Sequence, residues 1–163
     1  MTPVIIQATP EDARPISVLT GELLHEIMER IAIKAFRFNP KETEERARKL
    51  LSRGVYYVFL AEDSESGEAV GFLSLYESYA LYAEGAYGTI PELYVRPPYR
   101  SKGVGRQLLQ QARDFAVAKG WKRLEVTTPP LPQFDNTLAF YERNAFEISG
   151  GRKLKCDIAD MVR

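Results

Sequence analysis

The sequence predicts an α/β chain, a mixed central sheet flanked by helices. Three observations carry that prediction. Runs rich in β-branched and aromatic residues, such as Val55-Tyr56-Tyr57-Val58-Phe59-Leu60-Ala61, alternate with stretches whose apolar residues recur at helical spacing. A polar stretch over residues 63–68 joins two strand-like runs as a hairpin loop. A strand, a helix opened by a glycine-rich turn and a second strand follow one another over residues 86–128, which makes a right-handed βαβ crossover.

The elements follow in order. Residues 4–8 (Val-Ile-Ile-Gln-Ala) read as a short strand. Thr9 or Pro10 starts a helix with Glu11 and Asp12 in its first turn, where they complement the helix dipole. Ile16, Leu19, Leu23, Leu24, Ile27 and Met28 continue its apolar stripe. Residues 31–38 are ambiguous, and Asn39-Pro40 interrupts them. A charged helix covers 42–51 and ends at Gly54; its simplest reading is a solvated, salt-bridged face. Strands cover 55–61 and 69–79, with Gly71 at a bulge. After a turn at 81–85, one strand over 86–95 leads to the glycine turn and is stopped by Pro97-Pro98. Val104, Leu108, Ala112, Phe115 and Ala116 share a helical face, and Gly120 ends that helix. A strand over 122–128, a helix over 134–144 and a closing hairpin (146–149, a Gly150-Gly151 turn, 152–158) complete the chain. Cys156 alternates with Leu154 and Ile158, so it should face the core.

With 163 residues the chain suits one domain, residues 1–163. Its 22 basic and 22 acidic residues balance, so nothing in bulk charge calls for nucleic acid or an anionic membrane. No apolar run is long enough to span a bilayer and no secretory signal is visible, so a cytoplasmic location is expected. One cysteine excludes an internal disulfide, and one histidine excludes most histidine-based metal sites; no metal is expected. His25 lies among Glu22, Glu26 and Glu29 and reads as a surface or substrate-rim residue.

The stretch from Glu92 to Arg106 carries the most chemistry. A helix N-terminus presents N–H groups with no intrahelical partner at the positive end of the macrodipole, an anion site. Gly103 and Gly105 allow a bulky anion to approach the main chain, and Arg100, Lys102 and Arg106 add cationic donors. Pyrophosphate suits such a site. A Walker A loop is excluded, because no Gly-Lys step occurs. A dinucleotide fingerprint needs a third glycine where Leu108 stands, although Glu125 lies where its acidic residue belongs. Arg100-Ser101-Lys102-Gly103-Val104-Gly105 instead resembles the Arg-x-x-Gly-x-Gly loop of the Gcn5-related N-acetyltransferases. Asn136 to Phe146 is similar to that family's Asn…Phe-Tyr-x-x-x-Gly-Phe segment, with Ala145 in place of the glycine. Glycine there serves a left-handed helix end, a role expected to pass to Asn144.

The resemblance implies a mixed, mostly antiparallel central sheet, splayed where acetyl-CoA binds, and direct acetyl transfer to a primary amine. It assigns the pyrophosphate to Arg100, Ser101, Lys102, Gly103, Val104, Gly105 and Arg106, and the pantetheine arm to the main chain of Leu93, Tyr94 and Val95. The Val95 N–H becomes the oxyanion donor, and Pro97 and Pro98 oppose re-pairing beyond it. Asn136 would bond the pantetheine, with a plain helix N-cap as the competing role. Tyr141 becomes the general acid for the departing thiolate, against the simpler role of a packed ring. Glu92 becomes the general base, against an ion-paired strand residue, with Glu84, Glu77 and Asp135 as fallbacks. Glu22, Glu26, Glu29, Glu77 and Glu84, with strand tyrosines such as Tyr76, give the acceptor side acid and aromatic surface. That favours a small cationic amine; a protein lysine or N-terminus is the runner-up, and a non-catalytic acetyl-CoA-binding module the third reading. The closing hairpin offers an exposed strand for a homodimer.

Overall fold

The computed structural model describes residues 2–161. Its sheet has six strands: β1 (Pro3–Gln7), β2 (Tyr57–Asp63), β3 (Ala69–Ala80), β4 (Gly85–Ile90), β5 (Leu93–Val95) and β6 (Leu124–Val126). The order is β1-β2-β3-β4-β6, with β5 also paired to β3. All pairs are antiparallel except β4 with β6, which the βαβ crossover makes parallel. Four helices flank the sheet: α1 (Ala13–Ile31), α2 (Pro40–Ser52), α3 (Val104–Lys119) and α4 (Asp135–Arg143).

The central strands read as continuous apolar runs because both of their faces are covered. On β2, Val58 and Leu60 join Ile16, Leu19, Phe72 and Tyr94 in one core. Phe59 and Ala61, pointing the other way, join Leu73, Leu75, Leu108, Leu109, Ala112 and Tyr141 in the second. The α1 face and the α3 face therefore carry separate cores. The bulge expected near Gly71 is there, as a register shift between Ala61↔Gly71 and Glu62↔Ala69.

Helix starts follow their local signals. Thr9 and Asp12 form a capping box, the Thr9 N–H donating to Asp12 Oδ2 at 2.8 Å, but the first turn, Pro10–Asp12, is 3-10 and α1 proper begins at Ala13. The second helix begins at Pro40, earlier than the expected 42, because Asn39 Oδ1 caps the Glu42 N–H at 3.1 Å and proline is tolerated at the first helical position. No helix among the described residues is long and apolar enough to cross a membrane.

Two expectations are corrected. The single strand over 86–95 is two strands on one edge of β3, β4 and β5. Tyr76 faces Thr89 but Leu73 faces Leu93, so the register slips by one at Pro91-Glu92. Pro91 has no N–H to give to the ladder, and the slip re-aims Glu92. The closing hairpin does not form. Gly150 and Gly151 adopt positive φ, but no strand follows β6 among the described residues. Ile148 is 72% exposed, Leu154 87% exposed, and Cys156 is exposed rather than in the core. A lone two-stranded hairpin buries too little apolar surface to order itself without a sheet edge to join.

Candidate active site

The glycine turn meets α3 as its sequence requires. Gly103, at φ 85°, is the N-cap of α3, and no side chain caps the helix. The N–H groups of residues 103–106 thus open the helix without intrahelical acceptors. Ser101, Lys102 and Arg106 are exposed around them. This donor set fits a pyrophosphate. Gly105 has a further reason to lack a side chain: an added Cβ would sit 3.0 Å from the Phe140 ring, where α4 crosses the start of α3.

Arg100 does not join these outward donors. Its Nε donates to Val95 O (2.7 Å), its Nη2 to Glu26 Oε1 (2.7 Å), and its guanidinium lies 5.6 Å from the Tyr94 ring centroid. Arg96 docks alongside, with Nε on Glu22 Oε1 (3.0 Å) and Nη2 on Glu22 Oε2 (2.9 Å). Tyr94 Oη also donates to Glu22, at 3.3 Å; burial first, then Glu22 and Glu26, push this phenol up to about 12. Glu22 and Glu26, expected to be free acid for a cationic acceptor, are therefore spent on arginines.

The strand before the turn has one open edge. The Ser74 N–H donates to Glu92 O (3.0 Å) and the Arg96 N–H to Val70 O (2.8 Å), so residues 92, 94 and 96 turn their main-chain groups to β3. By the alternation of an antiparallel ladder, Leu93 and Val95 turn theirs away. β6 pairs with β4 and does not reach β5, so that edge has no strand beside it. The splay implied by the resemblance is this gap. Tyr94, assigned to the same main-chain set, contributes no edge groups, because its own face β3.

Glu92 stands at the slip. Its Oε1 accepts from the hydroxyls of Tyr56 and Ser74, while its N–H donates to Ser74 Oγ (3.0 Å). Both hydroxyls land on one oxygen, leaving Oε2 without a hydrogen bond among the described residues. Burial first, then the Glu92 carboxylate, hold the Tyr56 phenol well above its ordinary value, so it serves as a permanent donor. The Tyr56 and Tyr76 rings stack with centroids 6.4 Å apart beside this carboxylate. Neither Tyr56 nor Ser74 stands out in the sequence. They lie 36 and 18 residues from Glu92, and only the strand register brings the three together.

Tyr141 comes from the other side of the sheet. It packs on Phe140 and Phe146 (centroids 5.4 and 5.3 Å) within the core that also receives Leu93 and Val95. Its hydroxyl makes no hydrogen bond among the described residues, and burial raises its pKa above the ordinary value. The end of α4 holds the ring in place: the Phe146 N–H donates to Tyr141 O (3.0 Å) and the Ala145 N–H to Glu142 O (3.3 Å), a Schellman motif. Ala145 itself takes the left-handed conformation (φ 70°), whereas Asn144 stays at φ −106°, so the expected transfer of that role to Asn144 does not occur. Asn136 is exposed in the first turn of α4, whose N-cap is Phe134; the N-cap role is excluded and its amide points to solvent-accessible space.

The fallback carboxylates are elsewhere. Glu77 accepts from Trp121 Nε1 (2.6 Å) and from Tyr79 Oη, and these bonds, Tyr79 foremost, hold its carboxyl below the usual range. Glu84 and Asp135 are exposed, Glu84 at the tip of the β3–β4 turn. His25 is exposed on α1, beside an open depression lined by Met28, Glu29 and Ile33 that includes none of the site residues above.

The family model of the acetyltransferase (GNAT) family matches residues 23–146. The chain belongs to this family. As a GNAT-family acyltransferase it shares 33% identity over 121 residues with the aminoalkylphosphonate N-acetyltransferase of Salmonella typhimurium, covering 74% of this chain and 71% of that one. It shares 29% over 138 residues with the thialysine N-epsilon-acetyltransferase of Caenorhabditis elegans, covering 85% and 79%. The chain spans 60%, 71%, 79% and 52% of the length of four curated relatives it matches. A solved Clostridium acetobutylicum structure, described as a predicted acetyltransferase with acetyl-CoA, superposes with a TM-score of 0.76 at 13% identity, covering 99% of this chain and 100% of that one. At that identity the likeness concerns the fold, and it agrees with the mixed, mostly antiparallel sheet described above.

Proposed function

We propose that this chain transfers an acetyl group from acetyl-CoA directly to the primary amine of a small molecule. The observation that carries the reading is the open edge of β5, which follows Glu92, packs on the core that holds Tyr141 and leads through a short turn to the uncapped start of α3. The donor, when bound, supplies a thioester, and the reaction exchanges its C–S bond for an amide C–N bond. The N–H groups of residues 103–106, with Ser101, Lys102 and Arg106 around them, hold the pyrophosphate. Leu93 N–H and C=O offer the pantetheine arm a strand-like edge, and Asn136 reaches it from α4.

Glu92 Oε2 takes the ammonium proton of the acceptor, directly or through water, while Tyr56 and Ser74 fix the other oxygen. The Val95 N–H donates to the carbonyl oxygen as negative charge grows there; one such donor contributes about 3 kcal/mol. Tyr141 gives its proton to the leaving sulfur, and the second proton that the nitrogen sheds on becoming an amide returns to the tyrosinate through water, while Glu92 releases its own to solvent. Its raised pKa keeps that proton in place throughout neutral pH.

With Glu22 and Glu26 engaged by arginines, the carboxylate offered to the acceptor's charge is Glu92, bonded to Tyr56, whose ring stacks on Tyr76. This narrows the acceptor to a small compound with one ammonium near the reacting centre, and two matched relatives carry names of small-amine acetyltransferases. The test is amine-dependent thiol release from acetyl-CoA across aminophosphonates, amino acids with side-chain amines, diamines, aminoglycosides and a lysine peptide. The reading expects release with small monoamines, with the acetylated amine seen by mass. Release with the peptide alone, or acetyl-CoA binding without release, contradicts it. A homodimer belongs to the same proposal: Leu154 and Ile158 stand exposed after Gly151 and offer apolar surface to a second copy, and sedimentation velocity reads the result directly.

A further inference from the structure

Two arginines flank the turn between β5 and α3, and two glutamates on α1 receive them. Arg96 and Arg100 are four residues apart, and so are Glu22 and Glu26, the spacing that puts a helical pair on one face. The pairs form in parallel: Arg96 on Glu22, Arg100 on Glu26. The intervening turn is tight, with the Tyr99 N–H on Arg96 O (2.9 Å) and the Arg100 N–H on Pro97 O (3.2 Å). Arg100 does one thing more. Its Nε folds back across this turn to Val95 O (2.7 Å), the last outward-facing carbonyl of β5.

We propose that Arg100 is a positioning residue and not a phosphate ligand: with Glu26 it straps the open end of β5 to α1 and so fixes the Val95 N–H. This rests on the reading of the β5 edge as the thioester site. The peptide N–H of Val95 and its own carbonyl belong to one residue on that edge, so clamping the carbonyl limits the swing of the N–H. A guanidinium suits the task, because its planar fork can donate to a carbonyl and a carboxylate at once while its face rests on Tyr94. Those same bonds turn Arg100 away from the exposed N–H groups at the start of α3. Helix α1 is thereby tied to the donor-binding turn.

The discriminating pair of donors is acetyl-CoA and S-acetylpantetheine, which lacks the pyrophosphate. Binding of each, and kcat at saturating acetyl-CoA, are measured for the parent, Arg100→Lys and Glu26→Gln. The strap predicts that both variants weaken the two donors by the same factor and lower kcat about tenfold, since a displaced oxyanion donor costs rate and not only binding. Lysine should fail to rescue, because a point charge cannot span Val95 O and Glu26 together. The proposal is overturned if Arg100→Lys weakens acetyl-CoA and leaves S-acetylpantetheine unchanged, the signature of a phosphate contact. It is equally overturned if Glu26→Gln lowers thermal stability while both affinities and kcat stay at parental values. A parent that binds neither donor contradicts the underlying site reading itself, which separates that failure from the strap's.

Discussion

A carboxylate that accepts hydrogen bonds from two hydroxyls on one oxygen keeps the other for a third partner, and Glu92 is built this way. Tyr141 is the complementary case, a phenol with no hydrogen bond among the described residues, set among rings. Tyr141→Phe should leave acetyl-CoA affinity near the parental value and lower kcat by a factor on the order of 100, read by isothermal titration beside steady-state kinetics. A variant that turns over like the parent at every pH would reduce Tyr141 to packing. Ala145 offers a test of the frame rather than the chemistry. It occupies φ 70°, where a Cβ is disfavoured, so Ala145→Gly should raise unfolding stability by about 1 kcal/mol in a urea titration and leave kcat unchanged. An unchanged or lowered midpoint would mean that the left-handed turn carries no strain.

Among the elements, the glycine turn was the most legible. Glycine spacing, flanking cations and a helical stripe are all local signals, and the structure puts α3 where they indicate. Yet the two glycines have different tasks. Gly103 is needed for its φ of 85°, while its missing Cβ would meet nothing closer than Arg106 Nη2 at 3.4 Å. Gly103→Ala should therefore cost about 1–2 kcal/mol of stability, visible in thermal unfolding; a cost near zero would contradict a backbone requirement. Gly105 is needed for the approach of Phe140. The slip that separates β4 from β5 was only half legible, since Pro91 marks an irregularity but not which edge opens. The closing hairpin was misread because its alternation of Leu154, Cys156 and Ile158 is a local pattern, whereas strand formation needs a neighbour that sequence alone does not supply.

At the scale of the molecule, the site is assembled from distant segments, and that decides what the sequence concealed. Glu92 is recognisable from its neighbours, but Tyr56 and Ser74 reach it only through the register of β2, β3 and β5. The acids of α1 were visible as a cluster, yet their partners, Arg96 and Arg100, lie 74 residues away in each case. Burial has a global consequence as well. Tyr56 and Tyr141 have pKa values raised above the ordinary 10.0 in the folded state. A raised value means stability fully present below the unfolded pKa and lost as pH climbs towards the folded one. Thermal stability should thus show no loss from these groups up to about pH 9.5 and should fall above about pH 10, with a shallower fall in Tyr56→Phe. An unaltered slope in that variant would contradict the assignment.

The most direct test of the whole account is the pH profile of kcat/KM for the acceptor amine in the parent and in Glu92→Gln. Glutamine preserves the shape and an acceptor oxygen for Tyr56 and Ser74, and removes only the basicity. The account predicts a defect greatest at low pH, where the neutral amine is scarce, that shrinks as the pH approaches the amine's own pKa. A defect of the same size at every pH, accompanied by lost thermal stability, would contradict it and leave Glu92 a structural residue.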